Sequence, residues 1–91
     1  MGMKRAHLLI SGFVQGVFFR YSTRQKAVEL GISGWVKNCL DGRVETVIEG
    51  EAEKVREMID WCQIGPPQAH VTKVKTTWEE YKGEFSGFYI R

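Results

Sequence analysis

Gly12-Phe13-Val14-Gln15-Gly16-Val17-Phe18-Phe19-Arg20 is the stretch of this chain in which residue type and spacing could do chemistry. It leaves an extended segment and runs into a helical one. Successive backbone N–H groups there, free of helical partners, can converge on an anion, and Gly16 removes the side chain that would block close approach. Arg20 falls in the first helical turn and adds a planar, always charged fork able to hold two phosphate oxygens at once. Together these features describe a phosphate-sized cradle. A plainer reading of the same residues stays open, in which Gly12 and Gly16 shape a turn and Arg20 solvates a helix end. A triphosphate loop of the Walker type is excluded, because no Gly-Lys-Ser/Thr follows.

The elements that must position this loop can be read along the chain. Residues 5–11 place Ala6, Leu8 and Ile10 on one side of a strand, with Arg5, His7 and Ser11 on the other. A helix follows with Phe19, Thr23, Ala27 and Leu30 along one face, ended by Gly31 in a left-handed cap conformation. The chain is extended again from Gly34 to Cys39, and Asp41-Gly42 supplies the positive backbone angles of a tight hairpin before Val44, Val47 and Ile48. Ala52, Val55, Met58, Ile59 and Cys62 then recur at helical spacing until Gly65-Pro66-Pro67 breaks the helix. Residues 69–78 form a strand whose Val71 and Val74 fall three apart, which requires one bulge or change of frame. Phe88 and Ile90 suggest a short last strand. The order βαββαβ plus a terminal strand is the ferredoxin-like α+β sandwich, with two helices on one face of an antiparallel sheet. Such a fold hosts many functions, so function must be argued from the site.

A second segment bears on that argument: Gly31-Ile32-Ser33-Gly34-Trp35-Val36-Lys37-Asn38-Cys39-Leu40-Asp41-Gly42-Arg43-Val44-Glu45. Taken with GFVQGVFFR and with Gly-Pro-Pro-x-Ala at residues 65–69, it resembles the acylphosphatase family, with no departure at a motif position. The resemblance implies hydrolysis of the carboxyl-phosphate anhydride of acyl phosphates, a carbamoyl phosphate among the conceivable substrates. It also implies a catalytic arginine at Arg20, a catalytic asparagine at Asn38, and a phosphate cradle built from the backbone of Gln15, Gly16, Val17, Phe18, Phe19 and Arg20. Inorganic phosphate would be both product and inhibitor. The chemistry fits these residue types. An acyl phosphate expels a carboxylate whose conjugate acid has a pKa of about 4, so no general acid is needed, and no metal or cofactor is expected. The remaining tasks are aligning a water with phosphorus and stabilising charge on the equatorial oxygens. An asparagine amide can orient water without repelling the phosphate. Taken alone, Asn38 also suits a hairpin end, because asparagine tolerates turn geometry.

Composition bounds these readings. Ninety-one residues, 43% hydrophobic and 26% charged, make one compact domain over 1–91. A formal charge of +2 is far from the basic field of a dedicated duplex-DNA binder and leaves a small anion as partner. No apolar run suits a bilayer span and no secretion signal is visible, which points to a cytoplasmic protein with no membrane partner. Asn38 is the sole asparagine and Glu outnumbers Asp nine to two, a hint of growth in heat. Cys39 and Cys62 read as free, partly buried thiols. His7, His70, Ser11 and Ser22 lack the neighbours that metal or nucleophile sites need, and Ser22 to Gln25 has capping-box spacing. Trp35, Met58 and Trp61 read as packing residues, and Lys73 with Lys75 as a solvated strand face.

Two other functions compete. One is a ferredoxin-like RNA-binding module, since GFVQGVFF has the look of an aromatic RNA motif. However, strand three, RVETVIEG, carries no aromatic residue to stack on bases. The other is a catalytically silent domain that binds acyl phosphates. A free sheet edge is compatible with a monomer or a homodimer.

Overall fold

In the computed structural model, which describes residues 2–91, the elements run β1 (Met3–Phe13), α1 (Phe19–Leu30), β2 (Ser33–Asn38), β3 (Val44–Glu51), α2 (Ala52–Cys62), β4 (His70–Glu79) and β5 (Phe88–Ile90). They form one five-stranded sheet in the order β4-β1-β3-β2-β5 with both helices on one face. Ala6, Leu8 and Ile10 of β1 are fully buried beneath the helices with Val36, Val44 and Ile48 of the central strands. The strand period of two puts these residues on one face and, on the other, the cross-strand pairs Arg5–Glu49, His7–Val47 and Leu9–Glu45.

The helices obey the same logic. Phe19, Thr23 and Ala27 are the buried face of α1, with Leu30 partly covered, and Gly31 at φ 71° caps its end. In α2 the five expected positions, Ala52, Val55, Met58, Ile59 and Cys62, are all buried. The rings of Phe19 and Trp61 meet at 5.7 Å and join the two helices. The expected irregularity in β4 is present. Ser11 pairs with Lys73 but Gly12 with Val71, so Thr72 is the extra residue of a bulge. No helix among the described residues is long and apolar enough to cross a membrane.

Three expectations are corrected. The sheet is mixed, because β5 lies parallel to β2, with Val36 opposite Ile90. The chain leaves β4 at the sheet end opposite the GFVQG loop, crosses the helix-free face, and must then climb alongside β2. In the β2–β3 turn only Gly42 has a positive φ, at 95°, and Asp41 does not. The Gly42 N–H donates to the Cys39 carbonyl at 3.2 Å, and Asp41 instead accepts from the Arg43 N–H at 3.1 Å. This is an ordinary turn followed by one left-handed glycine, which needs positive φ at one position only. Ser22 and Gln25 make no capping box, because the residue preceding the helix is Phe18 and both lie inside α1. Arg5 lies on the side of β1 away from Ala6, Leu8 and Ile10, as expected. It is buried under the segment joining β4 to β5, where it pairs with Glu49, Glu79 and Glu84 at 3.2, 2.8 and 2.6 Å.

Candidate functional site

The loop between β1 and α1 carries two glycines with different duties. Gly12 sits at φ 125° opposite the β4 bulge, where a Cβ would collide with the His70 carbonyl oxygen and the Thr72 nitrogen. Its role is close approach of two strands. Gly16, at φ 77°, has open space around the position of a Cβ. Its role is the turn itself, with the backbone left bare toward solvent.

Helix α1 then starts without a side-chain cap. Phe18 precedes it at φ 64° and ψ 23°, the only non-glycine residue with positive φ among the described residues. The first backbone bond of the helix is Ser22 N–H to Phe18 O at 2.9 Å. The amides of Gln15 through Arg20 therefore have no backbone acceptor among the described residues. A helix start usually satisfies such N–H groups with a Ser, Thr, Asp or Asn side chain. Here they remain available, at the positive end of the helix dipole. Arg20 is exposed and forms no ion pair among the described residues.

Asn38 ends β2 on the helix-covered face, and its Oδ1 is buried without a hydrogen-bond partner. Gln15 joins it to the loop: Gln15 Nε2 donates to the carbonyls of Cys39, at 2.8 Å, and Arg43, at 2.9 Å. One side chain thus stitches the first sequence motif to the base of the hairpin that carries the second. A pocket of about 340 Å³ lies where the two meet, lined by Gly16, Phe18, Phe19, Arg20 and Asn38 together with Val14, Tyr21 and Ile90.

Five of the residues expected at the site are therefore gathered in one pocket. Gln15 and Val17 are not in its lining, since Gln15 spends its amide on the hairpin and Val17 is buried. Sequence reasoning missed Val14, Tyr21 and Ile90. Tyr21 could have been suspected from its place next to Arg20 in the first helical turn. Ile90 arrives only through the parallel pairing of β5, which no local pattern announces.

The electrostatics suit an anion. None of the lining residues is acidic. Glu45 is on the opposite face, where the His7 hydrogen bond at 2.6 Å, outweighing the cost of burial, holds its carboxyl below the usual range. Cys39 adjoins Asn38, but burial, helped by Glu45 and Asp41, pushes its thiol up, so it is neutral at pH 7 and a poor nucleophile. Cys62 is fully rather than partly buried, and burial pushes its thiol up to about 12.

Known proteins resemble this chain in sequence and fold. The model of the family described as Acylphosphatase matches residues 6–90. An acylphosphatase of Pelotomaculum thermopropionicum is 51% identical over 90 residues, covering 99% of this chain and 98% of that protein. One from Pyrobaculum islandicum is 55% identical over 87 residues, covering 94% and 92%. The structure of an acylphosphatase from Coxiella burnetii superposes with a TM-score of 0.93 at 43% identity, covering 98% of this chain and 93% of that one. Sequence, element order and three-dimensional path agree over nearly the whole length, and on that ground the chain belongs to the acylphosphatase family.

Proposed function

We propose that this chain hydrolyses acyl phosphates to a carboxylate and inorganic phosphate by in-line attack of water, with Arg20 and the backbone amides of Gln15 to Arg20 holding the phosphoryl group and Asn38 aligning the water. The observation that carries this reading is the convergence of three unsatisfied groups on one pocket: an uncapped helix start, an unpaired arginine and a buried, unpaired asparagine amide. Leaving a buried polar group without a partner costs about 1–3 kcal/mol, so Asn38 Oδ1 calls for a partner, and the amides and the exposed guanidinium beside it are free to hold an anion that brings one.

The chemistry follows from those groups. Phosphate oxygens accept hydrogen bonds from the loop amides and the guanidinium, which neutralises charge as the P–O bond to the acyl group lengthens. Water donates a hydrogen bond to Asn38 Oδ1, and this turns a lone pair on the water oxygen toward phosphorus. As the new P–O bond forms, the acyl carboxylate departs with the bonding electrons, and a phosphate oxygen takes the proton from the attacking water. Because a carboxylate is a stable leaving group at neutral pH, the step needs neither a general acid nor a Lewis acid on the leaving oxygen. The RNA-binding alternative finds no support on β1 and β3 of the helix-free face, which present Arg5, His7, Leu9, Glu45, Val47 and Glu49: there is no Phe, Tyr or Trp among them, two carboxylates oppose a nucleic-acid backbone, and the Trp35 ring on β2 is covered by Lys37 and Arg91.

The test is hydrolysis of acetyl and benzoyl phosphate in excess EDTA, with inorganic phosphate as competitive inhibitor. Turnover should survive chelation. Arg20→Ala should lower kcat/KM by roughly 10²–10³-fold, the scale on which one preorganised charge-stabilising donor acts. Full activity in that variant would refute the assignment of Arg20.

A further inference from the structure

The pocket is lined for more than a phosphoryl group. Gly16, Arg20 and Asn38, with the backbone amides of Phe18 and Phe19, serve the phosphate and the water, whereas the side chains of Val14, Phe18, Phe19, Tyr21 and Ile90 are apolar or aromatic and form no part of that chemistry. Three of them are large side chains left open to solvent, Phe18 at 71%, Tyr21 at 52% and Ile90 at 43% exposure. Apolar groups gathered at the mouth of a polar site, rather than scattered singly, mark a surface that a ligand covers.

These side chains are also held in place. The Phe18 backbone is kept in the left-handed region although its ring gains little burial there, so packing of that ring does not account for the conformation. Tyr21 directs its hydroxyl along α1, where it accepts a hydrogen bond from Gln25 Nε2 at 2.9 Å. Ile90 is fixed from both sides. The Arg91 N–H donates to the Val36 carbonyl at 2.9 Å, the Arg91 guanidinium covers the Trp35 ring at 4.8 Å, and Arg24 Nε donates to the Phe88 carbonyl at 3.3 Å. The terminal strand is thereby pinned against β2 and α1.

We infer that Phe18, Tyr21 and Ile90 form an acyl subsite, which makes this protein selective for acyl phosphates with a bulky apolar acyl group over acetyl phosphate. The inference rests on the phosphate reading given above, because the anchored phosphoryl group is what directs the acyl carbons toward these side chains. Burial of an apolar acyl group against them lowers the energy of the bound and reacting states together, so selectivity is expressed in kcat/KM.

The experiment compares kcat/KM for acetyl, butyryl and benzoyl phosphate in the wild type, Tyr21→Ala, Ile90→Ala and Ile90→Leu. The wild type should favour butyryl over acetyl and benzoyl over butyryl. Tyr21→Ala and Ile90→Ala should each lower the benzoyl-to-acetyl ratio about tenfold, within the range that hydrophobic pocket contacts deliver, while Ile90→Leu keeps it. Inorganic phosphate, which has no acyl part, should inhibit all four proteins with the same constant. That constant shows that the phosphate end of the site is intact in each variant. Equal kcat/KM for the three substrates, or a wild-type ratio in both alanine variants, would overturn the acyl subsite and leave the hydrolytic activity standing. A wild type that hydrolysed none of the three would overturn the activity itself, and the subsite with it.

Discussion

Asn38 is the one asparagine in the chain, and its amide oxygen is buried with nothing to bond. An unpaired buried acceptor destabilises a fold, so stability and activity should respond in opposite senses when it is removed. Asn38→Ala should lower kcat roughly 10²-fold, on the scale of one lost positioning or stabilising group, with inhibition by phosphate retained. The same variant should unfold at equal or higher urea concentration than the wild type. Steady-state kinetics beside urea titrations would read both. Loss of phosphate inhibition would move Asn38 from the water to the cradle. At this scale the sequence was informative about residue type, since an arginine fork and a neutral amide suit an acyl phosphate whatever the fold. It placed Gln15 in the backbone cradle but was silent on its side chain, which holds the two motifs together across 24 and 28 residues of sequence.

Among the elements, the GFVQG loop shows how two identical residues in one motif can answer to different forces. Gly12→Ala would drive a Cβ into the β4 backbone and should destabilise the protein by about 2–4 kcal/mol, since neither strand can yield without losing its ladder. Gly16→Ala meets open space and should cost about 1 kcal/mol, the penalty of a left-handed backbone alone. Urea midpoints of the two variants, compared at constant slope, measure the difference. A larger loss for Gly16→Ala would reverse the two assignments. Helix periodicity was legible throughout α2, where each of the five apolar positions is buried, because a 3.6-residue repeat depends only on neighbours along the chain. The start of α1 was less so. Ser22 and Gln25 have the spacing of a cap, yet the helix begins before them with no cap at all, which is the arrangement an anion site requires.

Across the whole molecule, the segment between β4 and β5 decides where the last strand goes. Glu49 is fully buried. Burial alone would raise its pKa, but the Lys82 N–H at 2.9 Å, Arg5 at 3.2 Å and the Gly83 N–H at 3.3 Å together outweigh it, and the carboxyl titrates below its ordinary value. A carboxylate with a depressed folded-state pKa contributes stability that is complete above the unfolded value of about 4.3 and is lost as pH falls through the folded value. The stability gap between wild type and Glu49→Gln should therefore be constant near neutrality and close in acid. Arg5→Met should cost about 3–5 kcal/mol at pH 7, because it leaves the Glu49 charge buried without its partner. Urea unfolding across pH 2.5–7, a range chosen to bracket the carboxylate pKa near 4, checks both expectations. A gap that widened in acid would contradict the assigned ion pair.

Thermophiles among the relatives fit the composition, in which thermolabile asparagine is nearly absent and glutamate is abundant. By itself the sequence determined the element order, the apolar faces and the residue types able to handle a phosphate, because each of these follows from periodicity, backbone conformation or side-chain chemistry within short windows. Only the tertiary structure decided that β5 runs parallel beside β2, that Arg5 is buried among three glutamates, and that Ile90 and Tyr21 share a pocket with Arg20 and Asn38. Those outcomes depend on contacts between segments distant along the chain, whose formation depends on loop closure and competing burial across the entire sheet rather than on any local pattern.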